Sequence, residues 1–292
     1  MNLNYYLFTV LMSLLLIVMG QANATNDIAN KVHTKPRIIA LAPHIVEMLF
    51  DVGAGDQIIA ATRHADYPEA AKAIPRIGSS SRIQIERIIE LQPDLIIAWK
   101  NSNPSDDLAR IKQLGFNIVY SQPYTFDDVA KEIRLFGKLS GHTEQGEHVA
   151  EKFLADLAEI KSRHQRKTPL LGFYEVWSRP ITTIAKDSWP QQFLEICSIK
   201  NPFYQAKARY PQVNIEQILQ ANVDVIIQPL SENQKAKEGY EWQKWPIIPA
   251  VKHRQIIQLD ADVVHRMTTR SLGALTDLCQ QAEKSREYYH GK

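Results

Sequence analysis

Short apolar runs alternate along the chain with stretches in which apolar residues return every third or fourth position. Arg37–Leu41 (RIIAL), Gln57–Thr62 (QIIAAT), Asp94–Trp99 (DLIIAW) and Phe116–Tyr120 (FNIVY) read as strands. They are β-branched and apolar without alternation, as expected when both faces of a sheet are covered. Ile45–Gly53 (IVEMLFDVG) reads as a helix stopped by glycine, and helices precede the third and fourth strands. From Gly141 to Lys167 the pattern changes. Val149, Phe153, Leu154, Leu157 and Ile160 keep helical spacing over a stretch that opens with Thr143 and Gly146, ends in basic residues and holds no strand. Alternation then resumes with Leu170–Val176 (LLGFYEV), PQQFLEIC, NIEQILQA, DVIIQP and RQIIQLD. The fold class this predicts is α/β: two Rossmann-like lobes, each a mostly parallel sheet flanked by helices, joined by one long backbone helix. The expected division is an N-terminal lobe over 37–140, a linking helix over 141–167 and a C-terminal lobe over 168–292.

One phrase occurs twice. Ile85–Trp99 reads IERIIELQPDLIIAW and Ile215–Pro229 reads IEQILQANVDVIIQP. Each is a helix followed by a strand, at a comparable depth in its own half. Ile85, Ile88 and Ile89 in one, and Ile215, Ile218 and Leu219 in the other, form the apolar face. Glu86 and Glu216 point off it in the first turn. An acidic side chain there is favoured by the helix dipole alone, by about 0.3–1 kcal/mol. As a matched pair on two lobes, the glutamates also look like two docking points for one basic partner, with charge complementarity setting register.

The N-terminal segment differs from the rest. Tyr5–Gly20 is almost wholly apolar and Ala22-Asn23-Ala24 supplies a small-x-small motif. Together they read as a cleaved secretory signal peptide over 1–24, followed by a polar leader over 25–36, with an uncleaved anchor as the alternative. Export places the chain in an oxidising compartment. There Cys197 and Cys279, the only two cysteines, form one disulfide or remain two buried thiols. The formal net charge of +2 and the dispersed Lys and Arg give no nucleic-acid stripe.

In open parallel sheets ligands bind beyond the carboxyl ends of the strands. Those ends offer His44, then Arg63, His64, Asp66 and Tyr67, then Ser79–Ser81, Trp99 and Tyr120. In the second half they offer Tyr174 and Trp177, Arg209 and Tyr210, then Asp260, Asp262, His265 and Arg266. Aromatic rings with a few polar groups suit a large, flat, partly apolar ligand. Trp189 reads as packing, and Asp262 with Arg266 also fits a surface i, i+4 ion pair. His44, His64 and His265 are alternative metal ligands, although none of the nine histidines has HxH or HxxxH spacing. No nucleophile elbow, Walker loop or GxGxxG occurs, and no enzyme activity, cofactor or resident metal is expected; a periplasmic enzyme or metal-binding protein using those three histidines is the remote alternative.

With IERIIELQPDLIIAW, the DYP of Asp66–Pro68, FLEIC (Phe193–Cys197), YPQVNIEQIL (Tyr210–Leu219) and the LDADVVHR region in view, the chain resembles a known family. It is similar to the helical-backbone (class III) periplasmic substrate-binding proteins, which deliver cobalamin, ferric siderophores or haem to ABC importers, and most of all to their cobalamin (vitamin B12) branch. The resemblance runs from about Arg37 to Cys279. It implies a monomer that carries cobalamin or a related metal chelate to an importer permease at the inner membrane. Residue by residue, it implies that Glu86 and Glu216 meet permease arginines, that Trp99 and Tyr210 line the corrin site with Asp262 and Arg266 as polar positions, and that Cys197 and Cys279 are bonded. Arg63, one of Ser79–Ser81, and Val263 stand where that branch carries aromatics. His44, Arg63 and Trp177 complete the expected ligand site, and the more basic rim leaves room for an anionic ligand such as a siderophore or haem.

Overall fold

The computed structural model describes residues 35–231 and 240–291. The expected signal peptide and the leader up to residue 34 lie outside the described residues. In the first half the elements are β1 (Ile38–Ala40), α1 (Pro43–Asp51), β2 (Ile58–Ala61), β3 (Gly78–Ser79), β4 (Arg82–Ile83), α2 (Ile85–Leu91), β5 (Leu95–Trp99), α3 (Ser105–Gln113), β6 (Ile118–Ser121) and α4 (Phe126–Ser140). The backbone helix α5 (Thr143–His164) follows. The second half holds β7 (Leu170–Tyr174), β8 (Trp177–Ser178), β9 (Ile181–Thr182), α6 (Gln191–Ile196), β10 (Ile199–Lys200), α7 (Ile215–Ala221), β11 (Val225–Leu230), α8 (Pro249–Lys252), β12 (Ile256–Asp260), α9 (Ala261–Val264) and α10 (Ser271–His290).

The main sheets are parallel, with orders β2-β1-β5-β6 and β10-β7-β11-β12. Numbered within its own half, each sheet has its second strand outermost, then its first, third and fourth. The repeated phrase therefore occupies one slot twice: α2 leads into β5, and α7 leads into β11. Both helices end on a left-handed residue, Gln92 at φ 45° and Asn222 at φ 49°. Two residues later an aspartate clamps the central strand in both directions. Asp94 N–H donates to Arg37 O at 3.0 Å while Asp94 Oδ2 accepts from Arg37 N–H at 2.8 Å. Asp224 does the same with Leu171, at 2.8 Å each way. The recurring aspartate is thus a fold-making residue.

Side-chain alternation splits each sheet into two layers. Ile38, Ala40, Leu95 and Ile97 face an inner core, whereas Ile39, Leu41, Ile96 and Ala98 face the α2–α3 side. In the second half Leu170, Tyr174, Val225 and Ile227 join that same inner core, and Phe173 and Ile226 face outward against Ile218 and Trp242. One continuous apolar core therefore runs through both halves. Its bridge is Phe126, the first residue of α4. Its ring lies 4.8 Å from Trp189, 5.3 Å from Phe193 and 6.2 Å from Phe153, centroid to centroid. A capping box fixes that start, with Asp128 N–H donating to Thr125 Oγ1 and Thr125 N–H to Asp128 Oδ2, both at 3.1 Å.

At 22 residues, α5 spans about 33 Å. It folds back on α4 through Gly141, whose φ of 78° suits the glycine. A Cβ added at Gly137 would lie 2.8 Å from the Gly146 Cα, so these two glycines let the helix axes approach closely. One expectation is corrected. Ile85 and Ile88 are buried, but Ile89 is 43% exposed, since it lies about 100° further round a helix whose buried seam is narrow.

Candidate functional site

Parallel strands deliver their carboxyl ends to one edge of each sheet. Between those edges is a cavity of about 390 Å³. Trp99 and Tyr124 line it from the first half; Trp189, Arg209, Tyr210 and His265 line it from the second. The expected pair Trp99 and Tyr210 is therefore brought together. Trp99 ends β5, and its N–H donates to Asn103 Oδ1 at 2.7 Å while buried Asn103 donates to Leu41 O at 2.9 Å, which pins the turn. Arg209 and Tyr210 ride on a segment laced to the β9 side by Ala185 N–H to Arg209 O (2.9 Å) and Thr183 N–H to Pro211 O (3.0 Å).

Tyr124, Asn101 and Gln192 were not anticipated: no strand pattern marks the loop residues Tyr124 and Asn101, and Gln192 lies in α6 with its partner in the other half. Tyr124 OH receives hydrogen bonds from Asn101 and Gln122, and the Arg209 guanidinium lies 4.7 Å from its ring centre. Gln192 Nε2 donates across the halves to Tyr124 O at 2.8 Å. Trp189, expected as packing, packs and also lines: its indole donates to Val264 O at 2.8 Å.

Two histidines back this cavity. His44 is 2% exposed, meets Trp99 edge-on at 5.0 Å and lies 2.8 Å from Ser121 Oγ. Ser121 donates to Glu132 at 2.6 Å, so it accepts from His44 Nε2–H. Burial, reinforced by the Arg266 charge, pulls the His44 pKa down to about 3. His44, expected at the ligand, thus supports the wall behind Trp99. His265 lines the cavity and pairs with Tyr174 OH at 2.9 Å; burial pulls its pKa down to about 4. Among the described residues no His, Cys, Asp and Glu group of three or more could hold a metal ion, and His64 is exposed in the loop after β2.

Arg266, expected beside the ligand, turns instead to the first half. It donates to Glu47 Oε1 and Asp66 Oδ1, both at 2.8 Å, with Asp262 at 3.5 Å. Arg270 donates to both Glu47 oxygens, at 2.9 and 2.7 Å, and stacks 3.7 Å from the centre of the Tyr67 ring. Thr269 donates to Asp51 at 2.8 Å. The isolated surface ion pair considered for Asp262 and Arg266 is thereby replaced by a cross-lobe cluster. Glu47, only 2% exposed, could not be singled out in sequence because its partners stand more than 200 residues away. Burial alone would raise the Asp66 carboxyl, but the Arg266 hydrogen bond and charge hold it below its usual value.

Trp177 stands on the β8–β9 hairpin, 62% exposed, beside the lining residue Val176. Arg63 lines a second hollow of about 650 Å³, bounded also by Ser79, Arg82, Glu86, Asp107 and Arg110. Glu86 and Glu216 are both exposed in the first turns of the twin helices. Each helix runs back from the carboxyl edge of its sheet, so each glutamate stands at the edge that carries the cavity. Cys197 at the end of α6 is bonded to Cys279 on α10, which removes the free-thiol alternative.

A hollow shared by two sheets of one topology grips a solute from both sides and needs no reacting group. That is the build of a two-lobed solute-binding protein. Residues 38–263 match the model of the family described as Periplasmic binding protein, and the chain belongs to that family, which implies the periplasm. Over 252 residues it is 35% identical to the vitamin B12-binding protein of Vibrio campbellii, covering 86% of this chain and 90% of that one. Over 244 residues it is 37% identical to the vitamin B12-binding protein of Vibrio cholerae, covering 83% and 87%. These relatives are binding proteins, not enzymes. The crystal structure of the periplasmic vitamin B12-binding protein BtuF of Vibrio cholerae superposes with a TM-score of 0.79 at 35% identity, covering 87% of this chain and 98% of that one. The haem-binding protein RhuT of Roseiflexus sp. RS-1 shares the fold, with a TM-score of 0.75 at 24% identity over 86% and 99% of the two chains.

Proposed function

We propose that this protein captures cobalamin in the periplasm and delivers it to an ABC importer. The observation that carries this reading is the aromatic cavity between twin sheets in a chain 35–37% identical to vitamin B12-binding proteins across most of both lengths. The division is an N-terminal lobe over 37–140, a linking helix over 141–167 and a C-terminal lobe over 168–292, preceded by a cleaved signal peptide over 1–24. Trp99 and Tyr210 face the macrocycle, with Arg209 and His265 as polar contacts and Trp177 at the mouth. Asp262 and Arg63 act from the rim, while His44 and Arg266 act through the walls they brace.

At about 390 Å³ the cavity is at the low end of small-molecule sites, and a macrocyclic chelate needs the mouth to widen. Widening breaks the Arg209–Tyr124 and Gln192–Tyr124 contacts and leaves the Phe126 bridge in place. The protein works as a monomer, and Glu86 and Glu216 meet basic sockets on the permease. Titrating purified protein with cyanocobalamin while following tryptophan fluorescence tests the reading. Saturable quenching is expected, and Trp99→Ala or Tyr210→Ala should weaken binding by about tenfold or more, roughly 1.4 kcal/mol. No quenching at tens of micromolar ligand overturns it.

Arg209 and the Tyr174–His265 pair favour one alternative, a ferric-siderophore or haem ligand in the same cavity. Haem or a ferric catecholate would then bind with a shifted absorption band where cyanocobalamin does not.

A further inference from the structure

The second hollow shares no lining residue with the cavity between the lobes. It belongs to the first half alone, between the loop after β2, the β3–β4 hairpin, the start of α2 and α3. Three arginines border it: Arg63, Arg82 and Arg110. All three are exposed, and no carboxylate of the described residues lies within ion-pair distance of Arg82 or Arg110. The hollow's own acids are Glu86 and Asp107, and Asp107 Oδ2 already accepts from Ile83 N–H at 3.0 Å. Two exposed guanidinium groups with no carboxylate in ion-pair reach are forks set for carboxylates.

Glu86 borders the hollow, so whatever seats on Glu86 also covers the arginines. Ile89, one helical turn on and 43% exposed, adds an apolar spot on the same face. The twin helix differs. Its corresponding Leu219 is half-buried, and the residues flanking Glu216 are the neutral Asn214, Gln217 and Gln220. The two tips are alike in their glutamate and unlike in everything around it.

We infer that the hollow beside Glu86 is a socket for an acidic side chain on the periplasmic face of the importer, with Arg82 and Arg110 as its forks. The inference rests on the docking role proposed for Glu86 and Glu216. The N-terminal tip then presents both charge signs and an apolar point, and the partner surface carries a base, an acid and an apolar residue to match.

The test uses the full-length mature protein and the cell's own cobalamin importer in lipid nanodiscs, with association rates measured at low and moderate salt. Arg82→Glu with Arg110→Glu should slow association at low salt by about tenfold and flatten its salt dependence, because rim charges act chiefly on the on-rate. Arg82→Gln with Arg110→Gln should give a smaller slowing of the same sign. Lys131→Glu with Lys152→Glu makes the same net-charge change on the exposed faces of α4 and α5 and should leave association within about twofold. Cyanocobalamin affinity should be unchanged in all three. Unchanged association in the arginine variants, equal slowing in the lysine variant, or lost cyanocobalamin binding would each overturn the inference. Glu86→Lys with Glu216→Lys separates the two ideas. If that variant also docks normally, the docking role itself fails; if it alone fails to dock, only the arginine socket falls.

Discussion

Replacing Glu47 by alanine removes the hub of the cross-lobe cluster. Its carboxylate is 2% exposed and takes three hydrogen bonds, at 2.8 Å from Arg266 and at 2.7 and 2.9 Å from Arg270. Deleting one partner of a buried ion pair costs about 3–5 kcal/mol, because the other charge is left without compensation. Here the lower end applies. Arg266 keeps Asp66 at 2.8 Å, and Arg270, 24% exposed, keeps water and the Tyr67 ring. The expected loss is about 3 kcal/mol, or roughly 6–12 °C in Tm for a chain of this size. Urea unfolding followed by far-UV circular dichroism reads it as a lower midpoint at unchanged slope.

Glu69→Ala is the internal standard. It removes an equally short 2.7 Å pair with Lys72, but the glutamate side chain is 84% exposed, and no measurable loss is expected. A Glu47→Ala loss under about 1 kcal/mol would refute the claim that this cluster ties the lobes together. Arg266 and Arg270 flank Met267, which with His265 lines the cavity, so the same variant should also weaken ligand binding.

The buried histidines set a pH dependence. A histidine whose pKa is lowered by folding contributes its full stability above the unfolded value near 6.5 and loses it as pH falls, so His44, at about 3, costs roughly 2 kcal/mol by pH 5. NMR should find neither His44 nor His265 titrating above pH 5, and a midpoint near 6.5 for either contradicts the burial argument. Asp66 follows the same sign at lower pH: its depressed pKa keeps the Arg266 pair contributing fully above the ordinary carboxylate range and releases it only in more acid solution. Reducing Cys197–Cys279, which closes a separation of 82 residues, should cost up to about 4.5 kcal/mol by chain entropy, measured as the change in urea stability after thiol reduction. Asp94→Ala and Asp224→Ala each strip a backbone N–H of its acceptor and should cost about 1–2 kcal/mol apiece, and unequal losses would show that the twin slots are not equivalent.

Much of the architecture was legible in residue order because it rests on local patterns. Strands buried on both faces are continuous apolar runs, and the long helix repeats its apolar positions without a turn signal. The two cysteines had few alternatives once export was inferred. The cavity wall was half legible. Trp99 and Tyr210 fall at strand ends and segment turns where ligands gather. His44 falls at such an end too, yet burial sets it behind Trp99, and no periodicity distinguishes a residue in a wall from one on it. What joins the lobes was least legible. Phe126, Glu47, Arg266 and Gln192 act on partners in the other half, and nothing in their own neighbourhoods records that distance.

The repeated phrase separates what the fold needs from what it leaves free. Its isoleucines and aspartate rebuild one piece of fold twice, since a central parallel strand needs the same inner and outer faces and the same clamp in either half. The glutamate does none of this. It sits exposed in each first turn, where the helix dipole tolerates it and no fold contact requires it. Its surroundings have diverged, to arginines and an exposed isoleucine at one tip and to neutral amides at the other. A repeat maintained only for folding would be free to vary at Glu86 and Glu216 before it varied at Asp94 and Asp224, and here both pairs stand. The contacts within the chain account for the aspartates, and the docking role proposed above would account for the glutamates as a pair.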